Sequence, residues 1–211
     1  MKKIILLYLA FVNLAFAYNY DEVLLKAQAS IFPKIILLDK KLNDKLIDGT
    51  IVYTIIYDKS DYLIAVEIRN FINTKYRGQL DNYAYKINLV DISNFSEETE
   101  ASSIYALHLG TDITKVATIA KEKGIISFSY DVNNLSKGLM FSLSIEKSTI
   151  LYLERRNLPS QDVDFVDSLL QMVHFIDSNA FNEEKIFNNT LNPTQIYTKI
   201  LKKTTTRRRS I

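Results

Sequence analysis

The chain has 211 residues, an ordinary apolar content, a formal net charge of +2, and neither cysteine nor tryptophan. This length suits one domain with a real core, or at most two small ones. Without cysteine there are no disulfides and no thiolate metal sites, so the core alone must hold the fold together.

The charge is unevenly distributed along the sequence. Two lysines lie within the first three residues and six cations follow Thr198, so the intervening body carries about −6. An acidic body does not favour nucleic-acid binding. The basic C-terminal end is typical of a solvated, disordered segment, and contact with anionic lipid is the alternative.

The first seventeen residues have the three-part layout of a secretory signal peptide. Lys2 and Lys3 precede the apolar run Ile4–Phe16, which closes with a small-x-small sequence at Ala17. The run is shorter than the ~20 residues that span a bilayer. We predict cleavage after Ala17 and export, and an anchor that stays attached is the alternative.

The first half of the body alternates between helical and strand patterns. Tyr20–Leu38 has the apolar spacing of a helix, which Pro33 should kink or break. Thr50–Tyr57 is apolar on both faces and predicts a strand buried in a parallel sheet. Asp58–Asp61 then offers cap residues, and Tyr62–Tyr76 again has helical spacing.

The alternation continues through the middle of the chain. Strands are predicted at Tyr83–Ile92, Ser103–Leu109 and Ile125–Tyr130. A helix is predicted at Ile113–Lys123, followed by a glycine at Gly124 that suits its C-terminal cap. Strands joined by helices of this length indicate right-handed crossovers and a mostly parallel sheet.

The pattern changes near the C-terminus. Gly138–Ile145 and Thr149–Glu154 are separated by three residues, which permits only an antiparallel hairpin, and its exposed edge would support a homodimer. A final helix is predicted at Gln161–Asp177, and a short one near Gln195–Leu201. The predicted fold is α/β, a mostly parallel sheet flanked by helices, with a C-terminal antiparallel hairpin and final helix. Its parts are a signal peptide (1–17), one domain (18–178) and a polar, basic tail (179–211).

Polar residues at the predicted strand ends are the candidate ligand-binding residues. In open parallel sheets, ligands bind outside the carboxyl ends of the strands. Convergence there would form a pocket, but aspartates in such places are usually helix N-caps, which is the interpretation we favour for Asp58 and Asp112. The candidates are Asp58, Thr111, Asp112, Asp131 and Asn157.

No catalytic motif is present in the sequence. It has neither a nucleophile elbow nor a glycine-rich phosphate loop. His108 and His174 stand alone in apolar segments, where a structural role is usual. We therefore predict a protein that is not an enzyme and that has no metal site or cofactor.

The order of these segments resembles the YfiR-like family of periplasmic proteins. The similarity is carried by VLLKAQASIFPKIILL, SIYALHLGTD, IISFSYD, Gly138 of SKGLMFSL, Asn157 of TILYLERRN, and VDSLLQMVHFI. It covers most of Tyr20–Asp177, as pattern and order without a diagnostic motif. The Trp-Pro pair and the cysteines of many relatives are absent, and Ser102 and Ser103 stand near the position of a central-strand cysteine. Control through disulfides therefore cannot operate in this chain.

The resemblance implies regulation from the periplasm. Such proteins repress an inner-membrane signalling enzyme by binding its periplasmic part, typically a diguanylate cyclase that makes cyclic di-GMP and controls biofilm. An accessory role beside a sensor histidine kinase is an alternative partner class. The strand-end aspartates favour a different alternative, a periplasmic small-ligand binding protein that resembles one lobe of a solute receptor.

Overall fold

The computed structural model describes residues 19–159 and 161–177. The predicted signal peptide, the basic tail and the short helix near Gln195–Leu201 lie outside these residues. Internal contacts divide the chain into Met1–Phe175 and Ile176–Ile211, and only two residues of the second unit are described. Within the described ranges, no helix is both long enough and apolar enough to cross a membrane.

The described residues form an eight-stranded sheet with the order β2-β3-β1-β4-β5-β6-β7-β8. The strands β3, β1, β4, β5 and β6 run parallel, while β2 and β7 are antiparallel to their neighbours β3 and β6. The strands are β1 (Ile51–Tyr57), β2 (Gln79–Leu80), β3 (Tyr83–Asp91), β4 (Ser103–Ala106), β5 (Ile126–Ser129), β6 (Phe141–Ile145), β7 (Thr149–Glu154) and β8 (His174–Ile176). The predicted fold class, including the antiparallel hairpin, is confirmed.

Four α-helices accompany the sheet in the described residues. They are α1 (Glu22–Ile36), α2 (Tyr62–Tyr76), α3 (Ile113–Glu122) and α4 (Asp167–Met172). From β1 the chain crosses through α2 to β3 on one side, and β4 then lies on the other side of β1. Because parallel crossovers are right-handed, α2 and α3 cover opposite faces of the sheet.

Aromatic rings fill the core between α1 and the sheet. Phe32 of α1 stacks on Phe128 at 4.6 Å between ring centroids, and Phe128 stacks on Phe141 at 5.7 Å. Gln28 fixes the helix over these rings, since its buried amide nitrogen donates to Tyr130 O and Leu143 O at 3.0 and 3.1 Å. A buried amide that lost these hydrogen bonds would cost free energy, so the position of Gln28, and with it that of α1, is fixed by the two carbonyl oxygens.

Pro33 does not break the first helix. α1 continues to Ile36, and Pro33 is buried in its last turn. At that position the missing N–H removes a single hydrogen bond from the end of the helix. The helix is therefore not broken at Pro33, and the alternative, a kink there, stays a prediction.

The predicted final helix is mostly wrong. α4 covers only Asp167–Met172, and a strand, β8, follows it. The segment before α4 pairs instead with the residues that follow α1: Lys40 N–H donates to Asp164 O at 2.8 Å, and Val166 N–H donates to Leu38 O at 3.0 Å. These backbone bonds hold the segment extended, so its helical spacing is overridden by a distant partner.

The hairpin does not supply an exposed sheet edge. β8 is the neighbour of β7 in the sheet order, so neither hairpin strand is the last one. The basis from which a homodimer was predicted is therefore wrong, and the homodimer itself stays a prediction.

Candidate functional site

The sheet has its topological switch point between β1 and β4. The chain leaves β1 toward β3 on one side and continues to β4 on the other side. At such a point the loops after neighbouring strands diverge and leave a crevice at the carboxyl ends, where doubly wound proteins bind ligands. A cleft of about 410 Å³ lies there, lined by Asp58, Lys59, Asp91, Ile92, Ser93, Asp112 and Lys115.

Two matching turns form one wall of the cleft. After β1, Asp58 Oδ1 accepts hydrogen bonds from the Ser60 backbone N–H at 3.0 Å and the Ser60 hydroxyl at 2.9 Å. At the end of β3, Asp91 Oδ1 accepts the same two bonds from Ser93, at 2.9 and 2.7 Å. In each turn Oδ1 is occupied by the local serine. Among the described residues, Oδ2 of neither aspartate accepts a hydrogen bond.

Asp91 is ionised at neutral pH. The hydroxyl of Ser93 lowers the pKa of the Asp91 carboxyl most, and the Ser93 backbone N–H and the Lys59 ammonium lower it further. Donors that favour the charged form of a carboxyl always act in this direction. The cleft therefore holds a fixed negative charge between two loops.

Positive charge lies in the same cleft. Lys59 is the second residue after β1, and Lys115 lies in the first turn of α3, three residues after Asp112. Among the described residues, neither lysine forms an ion pair with an acidic side chain. Three carboxylates and two ammonium groups thus line one cleft without neutralising each other through direct contact.

A buried carboxyl lies directly behind the cleft. Asp61 is 2% exposed, and its Oδ2 accepts a hydrogen bond of 2.5 Å from the Tyr20 hydroxyl. Tyr20 also accepts the His108 backbone N–H at 2.9 Å, and Asp21 N–H donates to the Tyr130 hydroxyl at 2.9 Å. Burial, and next the bond to Asp61, raise the pKa of Tyr20 far above its ordinary value. The residues before α1 are thereby fixed to the ends of β4 and β5.

The structure brings together two of the five predicted site residues. Asp58 and Asp112 line the cleft, and exposed Thr111 precedes Asp112 without lining it. Asp131 follows β5, where its side chain accepts the Asn133 backbone N–H at 2.8 Å and caps the next turn. Asp58 caps a turn in the same way, whereas Asp112 makes no side-chain cap bond.

Asn157 lies at the other edge of the sheet. It donates to Leu139 O at 2.8 Å, and Leu139 precedes the parallel strand β6. Because β7 is antiparallel, its carboxyl end meets the amino ends of the parallel strands. The expectation that Asn157 converges with the aspartates is therefore wrong.

Sequence reasoning missed Asp91, Ser93, Lys59 and Lys115. A signal for the first two was present, because the Asp-x-Ser pattern at Asp58 recurs at Asp91, each time at the end of a strand. The predicted strand was extended through Ile92 and hid the second pattern. The lysines carried no signal, since exposed lysines occur throughout the chain.

Comparisons with known proteins support the fold alone. No family model and no curated protein matches the chain. A conserved domain protein from Vibrio cholerae O1 biovar El Tor aligns with a TM-score of 0.53 at 11% identity, over 72% of this chain and 60% of that one. An ABC domain from Streptococcus pneumoniae in complex with L-Trp aligns with a TM-score of 0.46 at 9% identity, over 73% and 60%. The chain spans about 60% of the length of either protein. At these identities, the first of the two alignments supports an α/β fold and nothing finer, and the second is too weak to support any conclusion.

Proposed function

We propose that this chain is a binding protein for a small charged ligand, which occupies the cleft at the switch point. The observation that carries this proposal is the set of charges in that cleft, namely Asp58, Asp91 and Asp112 with Lys59 and Lys115. Water solvates these charges while the cleft is empty, so they carry no burial penalty. A charged ligand that displaces the water forms strong hydrogen bonds with them. We further propose that the protein is exported to the periplasm and is not an enzyme.

The ligand class follows from the two signs of charge. Carboxylates bind ammonium groups, and lysines bind carboxylate or phosphate groups. A zwitterion carries both groups and can satisfy both sets at once. The cleft volume of about 410 Å³ lies at the lower end of the range of about 300–1,000 Å³ found for small-molecule sites, so a ligand of the size of a free amino acid fits.

The test is a thermal unfolding screen with matched ligands. The probes are the twenty standard L-amino acids, each compared with its amide, which lacks the negative charge, and its N-acetyl form, which lacks the positive charge. A ligand that binds only the folded protein raises its stability, by about 2.7 kcal/mol at a concentration of 100 times Kd. We expect at least one amino acid to stabilise the protein and both of its modified forms to stabilise it less.

Variants then locate the site. Asp91→Asn and Lys115→Gln should each abolish the stabilisation. Asp44→Asn is the matched control, because Asp44 is an exposed carboxylate in the turn before β1, at the opposite edge of the sheet. The proposal fails if no compound of the three series shifts the unfolding temperature, or if Asp44→Asn abolishes the shift as well.

We also propose, as a second candidate function, that the protein is a periplasmic repressor of an inner-membrane signalling enzyme. The first enzyme to test as its partner is a diguanylate cyclase. The resemblance in segment order supports it. So do three large apolar side chains that stay exposed at the starts of the adjacent helices α1 and α2: Val23 at 66%, Tyr62 at 47% and Leu63 at 76%. Where exposed apolar side chains form one contiguous patch, they typically mark a protein contact.

Gene deletion tests this second proposal. We expect cyclic di-GMP and biofilm to rise in the deletion strain and to return to normal with the wild-type gene. Leu63→Glu should fail to restore them. Met172→Glu should succeed, since Met172 is 67% exposed on the distant helix α4. Unchanged cyclic di-GMP after deletion would contradict the cyclase as partner.

A further inference from the structure

Ser60 lies between the cleft and the buried carboxyl behind it. Its Oγ is 2.9 Å from Asp58 Oδ1 and 3.3 Å from Asp61 Oδ1. A serine hydroxyl carries one proton and donates to one acceptor at a time. The shorter distance indicates that the hydroxyl donates its hydrogen bond to Asp58 in this structure. Rotation of the hydroxyl about the Cβ–Oγ bond would redirect that hydrogen bond to Asp61.

The hydrogen bonds continue from Asp61 to the start of the first helix. Asp61 Oδ2 accepts the Tyr20 hydroxyl at 2.5 Å, and Tyr20 Oη accepts the His108 N–H at 2.9 Å. Tyr20 lies two residues before α1. An unbroken line of contacts thus runs from a cleft residue, through one hydroxyl and one buried carboxylate, to the segment that begins the described chain.

We propose that Ser60 couples ligand binding in the cleft to the anchoring of Tyr20 before α1. This proposal rests on the proposed ligand-binding function and names how that same site is regulated. An ammonium group of the ligand at Asp58 Oδ2 draws the negative charge of the carboxylate toward that oxygen, which weakens the hydrogen bond from the Ser60 hydroxyl to Oδ1. The hydroxyl then turns to Asp61, which now accepts two donors and holds the Tyr20 hydroxyl less tightly.

The effect passes on to the His108 amide because linked hydrogen bonds strengthen one another. When Tyr20 donates less strongly to Asp61, its oxygen is a weaker acceptor for the His108 N–H. The anchor of α1 therefore loosens when the cleft is occupied. By thermodynamic linkage, any partner that holds Tyr20 away from Asp61 changes ligand affinity by the same factor.

The turn after β3 provides an internal control. Asp91 and Ser93 repeat the geometry of Asp58 and Ser60, with the same two hydrogen bonds to Oδ1. Within the part of the chain that the structure describes, the Ser93 hydroxyl bonds no second carboxylate, whereas the Ser60 hydroxyl has Asp61. Changes at Asp91 or Ser93 should disturb a cleft turn to the same degree without reaching Tyr20.

Amide hydrogen exchange of His108, measured by NMR on the ligand-free protein, tests the coupling directly. Asp58→Ala removes the acceptor of the Ser60 hydroxyl altogether, which is the extreme case of the weakening that a bound ligand would cause. We expect exchange of the His108 amide to be about threefold faster in Asp58→Ala, from the modest cooperativity of linked hydrogen bonds. In a Ser60→Ala background, adding Asp58→Ala should leave the exchange rate unchanged, and Asp91→Ala should leave it unchanged in the wild-type background.

The double substitution separates the coupling from simple damage to the turn. Damage would appear equally with and without the Ser60 hydroxyl. If Asp58→Ala accelerates His108 exchange equally in both backgrounds, or not at all, Ser60 does not couple the two sites. Because no ligand is used, that result would overturn the coupling and leave the ligand-binding proposal to its own screen.

Discussion

Removing one hydroxyl from each of two neighbouring buried tyrosines should change stability in opposite directions. Tyr53 and Tyr105 are at most 1% exposed, and their ring centroids are 6.5 Å apart. The Tyr105 hydroxyl donates to Gln28 Oε1 at 2.5 Å. The Tyr53 hydroxyl has no hydrogen-bond partner among the described residues. The same substitution to phenylalanine therefore removes a satisfied group at one position and an unsatisfied group at the other.

The expected magnitudes follow from these partners. An unpaired buried hydroxyl lowers the free energy of unfolding by about 1–3 kcal/mol. Its removal recovers this cost but leaves an atom-sized void, which offsets part of the recovered stability. Tyr53→Phe should therefore stabilise the protein by about 1 kcal/mol. Tyr105→Phe loses a hydrogen bond and leaves Gln28 Oε1 buried without its donor. Its cost should be about 2 kcal/mol. The two variants should thus differ by roughly 3 kcal/mol in the free energy of unfolding.

Urea unfolding followed by far-ultraviolet circular dichroism measures both variants on one scale. The slope of the free energy of unfolding against urea concentration should be the same in both variants, so that differences in the midpoint of the transition report stability alone. A Tyr53→Phe variant as unstable as Tyr105→Phe would refute the reasoning, because the Tyr53 hydroxyl would then have a stabilising partner.

Alkaline pH gives an independent check on the same pair. Burial raises the pKa of both phenols well above the ordinary value. In the unfolded chain they ionise near pH ~10, so the folded protein loses stability as the pH rises above that value. Each phenylalanine variant should lose less stability between neutral and alkaline pH than the wild type does.

Three further outcomes are expected. Asp39→Asn should lower the free energy of unfolding by about 3–5 kcal/mol, because it removes the partner of Lys45 in a buried ion pair, where the side chains of Asp39 and Lys45 are 0% and 7% exposed. Asp164→Asn breaks an exposed ion pair and should cost at most about 1 kcal/mol. Urea unfolding measures both variants. Ser102→Ala should lower the free energy of unfolding by about 1–3 kcal/mol, because the Ser102 hydroxyl forms hydrogen bonds with two backbone groups. Ser103→Ala should be neutral or stabilising, because the Ser103 hydroxyl is buried without a partner in the described part of the chain. The Asp91 carboxyl, followed by carbon NMR, should titrate below the ordinary aspartate value, so its contribution to stability is present above that value and is lost as the pH falls through the lowered pKa.

Local patterns predicted those elements whose neighbours agree with them. Tyr62–Tyr76 and Thr149–Glu154 have the predicted bounds. In the helix Tyr62–Tyr76, the helical spacing of the apolar residues matches the face that the fold buries. The segment around Asp164 has helical spacing too, but Leu38 and Lys40, more than a hundred residues earlier, bind its backbone in an extended form. Short-range periodicity contains no information about such a partner.

The candidate site shows the same division. Asp58 and Asp112 were found because each follows a predicted strand, and parallel strands bring their carboxyl ends to one edge. Asn157 was misplaced because an antiparallel strand reverses that rule. Asp91 was missed because the strand that ends at Asp91 was predicted one residue too long.

The sequence by itself determined the α/β class, the parallel orientation of most strands and the edge at which polar groups gather, because these follow from local periodicity and right-handed crossovers. Only the tertiary structure decided which charges share the cleft and that Ser60 stands between two carboxylates. Those relations depend on distances between loops that follow different strands, and packing of the whole sheet sets these distances.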